Sequence, residues 1–163
     1  MQKWRCSNVI RQATVVDIPA LNQLLQEILQ VHHGVRPDIF RPVGKKFSSS
    51  ELADLMSHPE TPIFVYETDG KILGHMFCQI AKATSPVLEP IKTLFIEDLC
   101  VAQEARGQKI GKQLYDFAVD LAKKEGCHNL TLDVWDANHG AKSFYERQGL
   151  EAQKTRMELR LDT

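Results

Sequence analysis

A strand, a glycine-containing loop and a helix follow one another in the second half of this chain, and this succession restricts the fold more than any other feature. The apolar run Ile91–Val101 predicts a strand, and the polar loop after it holds Gly107 and Gly111. From Ile110 onwards apolar residues recur at helical spacing, until Gly126 ends the helix. A strand that leads through a short loop into a helix predicts an α/β fold.

Further strands and helices are predicted before and after this unit. Asp69 and Gly70 separate two β-rich runs and predict a hairpin, and Ser48 with Glu51 forms a capping box that starts a short helix. The other predicted elements are a strand at Val9–Thr14, a helix from the N-cap Asp17 to His32–Gly34, strands at Ile63–Glu67 and Lys71–Ile80, a strand at Asn129–Trp135, a helix from Asn138 to Gly149, and a last strand or hairpin within Leu150–Leu161.

Composition excludes several classes of protein. The net charge of -1 gives no reason to expect nucleic acid or a membrane surface as a partner, and no apolar run approaches the ~20 residues of a membrane helix. The four cysteines are far apart and form no C-x-x-C pair, which indicates neither a zinc site nor a disulfide framework: Cys6, Cys78, Cys100 and Cys127. We therefore expect a cytoplasmic protein with reduced thiols and no metal.

The glycine loop indicates a phosphate site, because free N–H groups and the helix dipole both favour an anion at a helix N-terminus. A Walker loop does not fit, since Gln113 follows Lys112 where a hydroxyl is needed, and a G-x-G-x-x-G fingerprint is absent. The pyrophosphate pattern of acyl-CoA transferases, [RQ]-x-x-G-x-[GA], fits from Arg106 to Gly111, although Lys109 stands at its usual glycine. The alternative is a surface turn with a basic flank.

A second motif follows the next strand. Residues 138–150, NHGAKSFYERQGL, match the pattern N-x-x-A-x-x-F-Y-x-x-x-G-[FL] that such transferases carry there. With both motifs, the chain resembles the GNAT N-acetyltransferase superfamily. The resemblance implies a single domain over residues 1–163, with a mixed sheet of six or seven strands and four helices on its faces. It also implies direct transfer of an acetyl group from acetyl-CoA to a primary amine in a ternary complex. The alternatives are a CoA-binding module without turnover and an interaction domain.

The resemblance assigns two kinds of contact to acetyl-CoA. Main-chain groups of the central strand would hold the pantetheine and thioester, with the Leu99 N–H facing the developing oxyanion. The glycine loop would hold the diphosphate, and Tyr145 would protonate the departing thiolate unless it is a core aromatic. The full set that it implies is Leu99, Cys100, Val101, Arg106, Gly107, Gln108, Lys109, Ile110, Gly111, Lys112, Asn138 and Tyr145.

A general base is needed because a primary amine is almost wholly protonated at pH 7, and deprotonation costs about 4–5 kcal/mol. Glu97 and Asp98 are consecutive in the strand, so we expect them on opposite faces, with only one near the substrate. The resemblance to polyamine-type members favours Glu97 as the base. Asp98 is the alternative base or a substrate contact. Asp133 lies opposite the apolar face of its strand and would orient a cationic amine, or is simply solvated.

The acceptor pocket is the least specified part of the sequence. The resemblance places it among Ile28–Lys46, the Ser85–Pro90 loop and the C-terminal hairpin, and the acidic residues favour a cationic acceptor. Cys100 beside the thioester is interpreted as a small buried residue rather than a nucleophile. A homodimer is a further possibility, since many relatives associate through sheet edges or exchanged strands.

Overall fold

A computed structural model describes residues 7–162 of the chain, and Cys6 therefore lies outside the described residues. The described residues form two compact units, which divide between Asp133 and Val134. The larger unit contains the whole sheet and three of the helices. The expectation of a single domain over residues 1–163 stays a prediction.

The order of strands and helices confirms most of the predicted elements. The five strands are β1 Asn8–Gln12, β2 Ile63–Thr68, β3 Lys71–Lys82, β4 Lys92–Val101 and β5 Asn129–Leu132. The four helices are α1 Ile18–Val35, α2 Ser49–Ser57, α3 Ile110–Lys124 and α4 His139–Arg147.

The predicted strand within Leu150–Leu161 is wrong, and the described sheet has five strands rather than six or seven. Residues 151–162 are exposed and form no regular element. Apolar residues do alternate there, but Met157, Leu159 and Leu161 are 86%, 83% and 88% exposed. Alternation records a preference for extended backbone, whereas a strand also requires a neighbouring edge with which to pair.

The sheet has the order β1-β2-β3-β4-β5. The first three pairings are antiparallel, and β4 pairs with β5 in parallel, with α3 as the connection that a parallel pair requires. The hairpin between β2 and β3 turns at Asp69 and Gly70, which have φ values of 49° and 82°. Two successive positive φ angles are typical of the tight turn that the Asp-Gly pair predicts.

Helices α1 and α2 cover one face of the sheet. Leu21 and Leu25 of α1 and Leu52 of α2 are buried against Val65 and Phe77 of the sheet. The hydrophobic stripe of α1 thus accounts for this half of the core.

Helix α3 packs closely against β3 on the other face. A Cβ atom at Gly74 would lie 3.0 Å from the Cys100 carbonyl oxygen, 3.2 Å from Leu114 Cδ1 and 3.3 Å from Ile110 Cγ2. These distances are tighter than ordinary van der Waals contact, so a side chain at Gly74 would require its neighbours to move by a few tenths of an ångström. Because Ile110 is the first residue of α3, this contact also fixes the height of the helix N-terminus above the sheet.

Candidate active site

A β-bulge interrupts β4 at the proposed base. The β3–β4 register pairs Cys78 with Ile96 but Phe77 with Asp98, so that Glu97 is an extra residue on β4. Two residues of β4 therefore lie opposite one residue of β3, which is the definition of a bulge, and the alternation of side chains changes there.

The bulge corrects the expectation that Glu97 and Asp98 face opposite sides of the sheet. The Lys46 amine reaches both carboxylates, at 4.0 Å from Glu97 Oε1 and 3.7 Å from Asp98 Oδ2. The side chain of Glu97 is 43% exposed, whereas that of Asp98 is 7% exposed. Both carboxylates therefore belong to one cluster, with Glu97 on its solvent side.

The second half of β4 also has an open edge. The parallel ladder with β5 ends at Ile96 and Leu132, whereas β4 continues to Val101. The main chain of Leu99, Cys100 and Val101 is thus not paired with β5. An unpaired strand edge offers backbone hydrogen-bonding groups to an extended partner.

Asp98 is an ionised carboxylate inside the protein. His75 is fully buried, and its Nε2 lies 3.6 Å from Asp98 Oδ1, while neither ring nitrogen has a regular hydrogen-bond partner. Burial by itself raises the pKa of Asp98, but His75, Lys46 and His32 together hold that pKa below its ordinary value. Conversely, burial lowers the pKa of His32 in spite of Asp98. The cluster therefore keeps a negative charge at Asp98.

Cys100 does not have the properties of a nucleophile. Its thiol is buried and donates to the Leu24 carbonyl oxygen at 3.5 Å. Burial, with Asp98 and Glu27 adding to it, raises the pKa of this thiol to about 12. The thiol is thus neutral near pH 7, and Cys100 is a packing residue on the α1 side of β4.

The glycine loop forms the N-terminus of α3. Gly107 has a φ of +85°, and a Cβ built on it meets nothing within 4 Å. The amides of the first helical turn have no carbonyl group one turn back, so Ile110, Gly111 and Lys112 present free N–H groups. An anion fits such a helix start, and the α3 dipole favours it.

Lys109, at the usual glycine of the pattern, has an unusual backbone conformation. It is the N-cap of α3 and has φ 61° and ψ 24°, the left-handed conformation that favours glycine. The pattern of acyl-CoA transferases has glycine at this place, and the backbone here takes the conformation that explains why. Left-handed residues within such loops help turn successive N–H groups toward one anion.

The charged side chains of the loop are only partly available. The Lys112 amine pairs with Asp116 one turn later at 2.8 Å, on the exposed surface of α3. Gln113 accepts a hydrogen bond from the Tyr66 hydroxyl at 3.2 Å and thereby ties the helix start to β2. The main-chain amides therefore have positions set by the backbone, whereas the Lys112 amine can exchange Asp116 for another anion.

The second unit contains the other motif. The Asn138 side chain accepts from the Ala141 N–H at 3.2 Å and caps α4, as its position in the sequence predicts. Tyr145 is half-buried, with its ring 5.1 Å from that of Phe144 in an edge-to-face arrangement. Asp136 pairs with Lys142. In the first unit, Asp133 is exposed and directly follows the end of β5.

Two members of the cluster were missed by the sequence analysis. His75 stands in the apolar run of β3 two residues before Phe77, the register partner of Asp98, and a titratable residue in such a run was the available signal. Lys46 comes from the loop between α1 and α2, which contains no regular element. Nothing in its local sequence distinguishes it from Lys45.

Comparison with known proteins identifies the family. The model of the Acetyltransferase (GNAT) family matches residues 22–150, which include the bulge, the glycine loop and the α4 motif. The chain belongs to the GNAT acetyltransferase family. This confirms the resemblance on which the site residues were assigned.

Individual relatives agree with this membership. The chain is 29% identical over 146 residues to an uncharacterised N-acetyltransferase of Methanocaldococcus jannaschii, which covers 88% of this chain and 63% of that relative. It is 34% identical over 91 residues to a glucosamine 6-phosphate N-acetyltransferase of Arabidopsis thaliana, covering 56% of this chain and 58% of that relative. The chain spans 65%, 63% and 59% of the lengths of the first three curated relatives that it matches.

Among solved structures, a mutant of the BH1408 protein of Bacillus halodurans superimposes with a TM-score of 0.88 at 30% identity. The superposition covers 94% of this chain and 99% of that one. The five-stranded sheet and four helices described above are thus those of a GNAT fold. Within residues 7–162 no helix is long and apolar enough to cross a membrane, and no three His, Cys, Asp or Glu side chains group to hold a metal ion.

Proposed function

We propose that this GNAT protein transfers an acetyl group from acetyl-CoA to a primary amine by direct attack in a ternary complex. The observation that carries the proposal is the open edge of β4 at Leu99–Val101, which lies between the Glu97 bulge and the loop before α3. Acetyl-CoA supplies the activated acyl group as a thioester. This chain supplies the amides and the base.

The diphosphate is proposed to bind the main-chain amides from Arg106 to Lys112. Gly107 and the left-handed Lys109 shape the loop, and free N–H groups at the start of α3 supply the hydrogen bonds. Leu99, Cys100 and Val101 would pair with the pantetheine through their backbone. Asn138 and Tyr145 are assigned to the same ligand by the family motif alone.

Glu97 is the proposed general base, acting directly or through a water molecule. Removing the proton from an amine at pH 7 costs about 4–5 kcal/mol, and a carboxylate beside the acyl carbon offsets part of that cost. Glu97 is half-exposed and thus accessible to an incoming amine, whereas Asp98 is nearly buried and keeps its charge next to His75. Asp98 is therefore proposed to attract the cationic amine rather than to take its proton.

Direct attack needs no acyl-enzyme intermediate, and the neutral, buried thiol of Cys100 supports that choice. The attacking amine forms the C–N bond, the C–S bond breaks, and the departing thiolate needs a proton. Tyr145 is the proposed acid for this last step.

The acceptor is proposed to be a cationic primary amine, because Glu97, Asp98 and Asp133 would give this end of the sheet a negative potential. The glucosamine 6-phosphate N-acetyltransferase among the relatives acts on a primary amine, which supports the class of group but not a particular molecule. Asp133 is exposed and free to contact the distal part of a polycation.

The experiment is an acetyl-CoA turnover screen across polyamines, amino sugars, aminoglycosides, lysine and peptide N-termini, with Glu97→Gln and Tyr145→Phe run in parallel. Each variant should lose about 100-fold or more in kcat while retaining affinity for CoA, because a general base or acid contributes at least that much. Unchanged kcat in both variants would remove these roles. CoA binding without thiol release for any amine would instead indicate a CoA-binding module.

A further inference from the structure

One lysine of this chain already lies where an acceptor amine is proposed to bind. Lys46 Nζ is 4.0 Å from Glu97 Oε1 and 3.7 Å from Asp98 Oδ2, and the Lys46 side chain is 45% exposed. The residue belongs to the segment between α1 and α2, which has no helix or strand to fix it. Its amine thus lies on a loop, within 4.0 Å of the proposed base.

These contacts are longer than those of two other lysine pairs among the described residues. Lys71 and Glu104 approach to 2.7 Å, and Lys112 and Asp116 to 2.8 Å, which are direct charge-assisted hydrogen bonds. The Lys46 distances exceed the range of about 2.7–3.2 Å for an N–H···O hydrogen bond. The amine is therefore attracted to the carboxylates without being locked to either of them, and it can turn toward a third group.

The carboxylates also suit proton removal from this amine. Asp98 is held ionised beside the buried His75 and keeps the ammonium group near β4. Glu97 is the more exposed partner and can take a proton and pass it to water. The open edge of β4 begins at the same bulge, so the amine is close to the strand that is proposed to hold the thioester.

We propose that Lys46 is an internal acceptor and that the protein acetylates its own Lys46 Nζ. The inference rests on the proposed function. Glu97 takes a proton from the Lys46 ammonium, the neutral amine forms a C–N bond with the acetyl carbon, and the C–S bond breaks. The products are acetyl-Lys46, the CoA thiol and one proton released to solvent.

Acetylation at this position changes the site itself. An amide carries no charge, so Glu97 and Asp98 lose the cation that faces them. The cluster becomes more negative by one charge and more open to an external cationic amine. Self-acetylation is therefore a single event per molecule that precedes or competes with turnover of the external acceptor.

The test uses full-length protein in which Lys46 is verified to be unmodified. Acetyl-CoA is added, and acetylation is followed over time by peptide mass mapping with a protease that does not cut at lysine. Lys45 is the matched control, since it shares the loop and the exposure of Lys46. Lys46 should be acetylated about 100-fold faster than Lys45, the lower end of what a general base contributes, and Glu97→Gln should remove that difference.

A half-time that is independent of protein concentration is expected, because the reaction is intramolecular. Equal rates at Lys45 and Lys46, or a half-time that shortens as protein concentration rises, would overturn the inference. The conclusion does not depend on the Glu97→Gln variant, because the ratio of the acetylation rates of Lys46 and Lys45 in the wild-type protein already tests the inference.

Two further arms separate this inference from the proposed function. If added amines are turned over while Lys46 stays unmodified, the inference alone fails. If acetyl phosphate, which needs no CoA site, labels Lys46 before Lys45 but acetyl-CoA does not, self-acetylation from acetyl-CoA fails together with the proposed place of the thioester.

Discussion

Lys109 adopts a left-handed backbone conformation at the first turn of α3, with a φ of 61°. For a residue with a Cβ this conformation costs about 1–2 kcal/mol, whereas glycine adopts it freely but loses about 0.5–1 kcal/mol more entropy on folding. We therefore expect Lys109→Gly to raise the free energy of unfolding by up to about 1 kcal/mol, measured by urea denaturation. Lys109→Ala keeps the Cβ and is the control. Equal stabilisation by both variants would show that the lysine side chain, not its backbone, is the cause.

Asp17 is the buried partner of an ion pair with the partly exposed Arg11 at the start of α1. Its carboxylate accepts from Arg11 at 2.8 and 3.0 Å and from the Thr14 N–H at 2.8 Å. The sequence predicted Asp17 as the cap of α1, but its side chain bonds Arg11 and Thr14 rather than an amide of that helix. The Arg11 hydrogen bonds, with the Thr14 N–H adding to them, lower the pKa of Asp17 even though burial opposes the shift.

We expect Asp17→Asn to lower the free energy of unfolding by about 1.5–3 kcal/mol at pH 7, the range for hydrogen bonds to charged groups. Because the pKa of Asp17 is lowered by folding, the stabilisation is present above the unfolded value of about 4 and is lost as pH falls through the folded value. The gap between wild type and variant should thus close in acid. Asp54→Asn, at an exposed carboxylate of α2, is the control and should change stability by less than about 0.5 kcal/mol at every pH.

At the scale of residues, the sequence singled out candidate residue types but did not predict their geometry. Glu97 and Asp98 were singled out because an amine acceptor needs a base and because of the family resemblance, but their common orientation depends on the bulge at Glu97. A bulge is a property of the pairing between β3 and β4, and no local signal in β4 specifies it. The contacts of Lys46 and His75 likewise arise from tertiary packing.

At the scale of elements, Gly74 decides how closely α3 approaches the sheet. Gly74→Ala places a methyl group 3.0 Å from the Cys100 carbonyl oxygen and 3.3 Å from Ile110, so the β4 backbone or the helix start must give way by a few tenths of an ångström. We expect a loss of about 1–3 kcal/mol in the free energy of unfolding, and weaker binding of CoA because the amides of α3 move with Ile110. Urea denaturation and CoA titration measure the two effects.

Gly34 provides the opposite case for the same substitution. It lies in α1, and a Cβ built there meets nothing within 4 Å. Gly34→Ala should stabilise the protein by about 0.5–1 kcal/mol and leave CoA binding unchanged. If Gly74→Ala also stabilised the protein and left CoA binding unchanged, close packing of α3 on β3 would not determine the position of the loop before α3.

Elements with a regular hydrophobic period and clear caps were predictable from sequence, whereas the C-terminal segment was not. α1 and α3 each have an apolar face, and the β2–β3 hairpin has its Asp-Gly turn. Apolar and polar residues also alternate within residues 151–162, but strand pairing needs a free sheet edge, which the sequence of the segment cannot specify. Met157, Leu159 and Leu161 are apolar and exposed. Because exposed apolar residues can form an interface, the homodimer remains a proposal.

At the scale of the whole molecule, a ligand that binds only the folded state raises its stability. At a concentration about 100-fold above its Kd, CoA should add about 2.7 kcal/mol, which corresponds to a rise in Tm of about 5–10 °C for a chain of this length. Pantetheine lacks the diphosphate and should produce a much smaller shift at the same concentration. Differential scanning calorimetry measures both.

Two glycines with similar φ angles allow the binding site responsible for this rise in Tm to be tested. Gly107 and Gly126 have φ values of +85° and +70°, and a Cβ at either meets nothing within 4 Å. Replacing either one with alanine should cost about 1–2 kcal/mol through the same backbone strain. Only Gly107 lies in the loop before α3, so Gly107→Ala should also lose most of the CoA-dependent rise in Tm, whereas Gly126→Ala should keep it. A full CoA shift in Gly107→Ala would mean that the diphosphate binds elsewhere on the protein, and the proposed site would have to be abandoned.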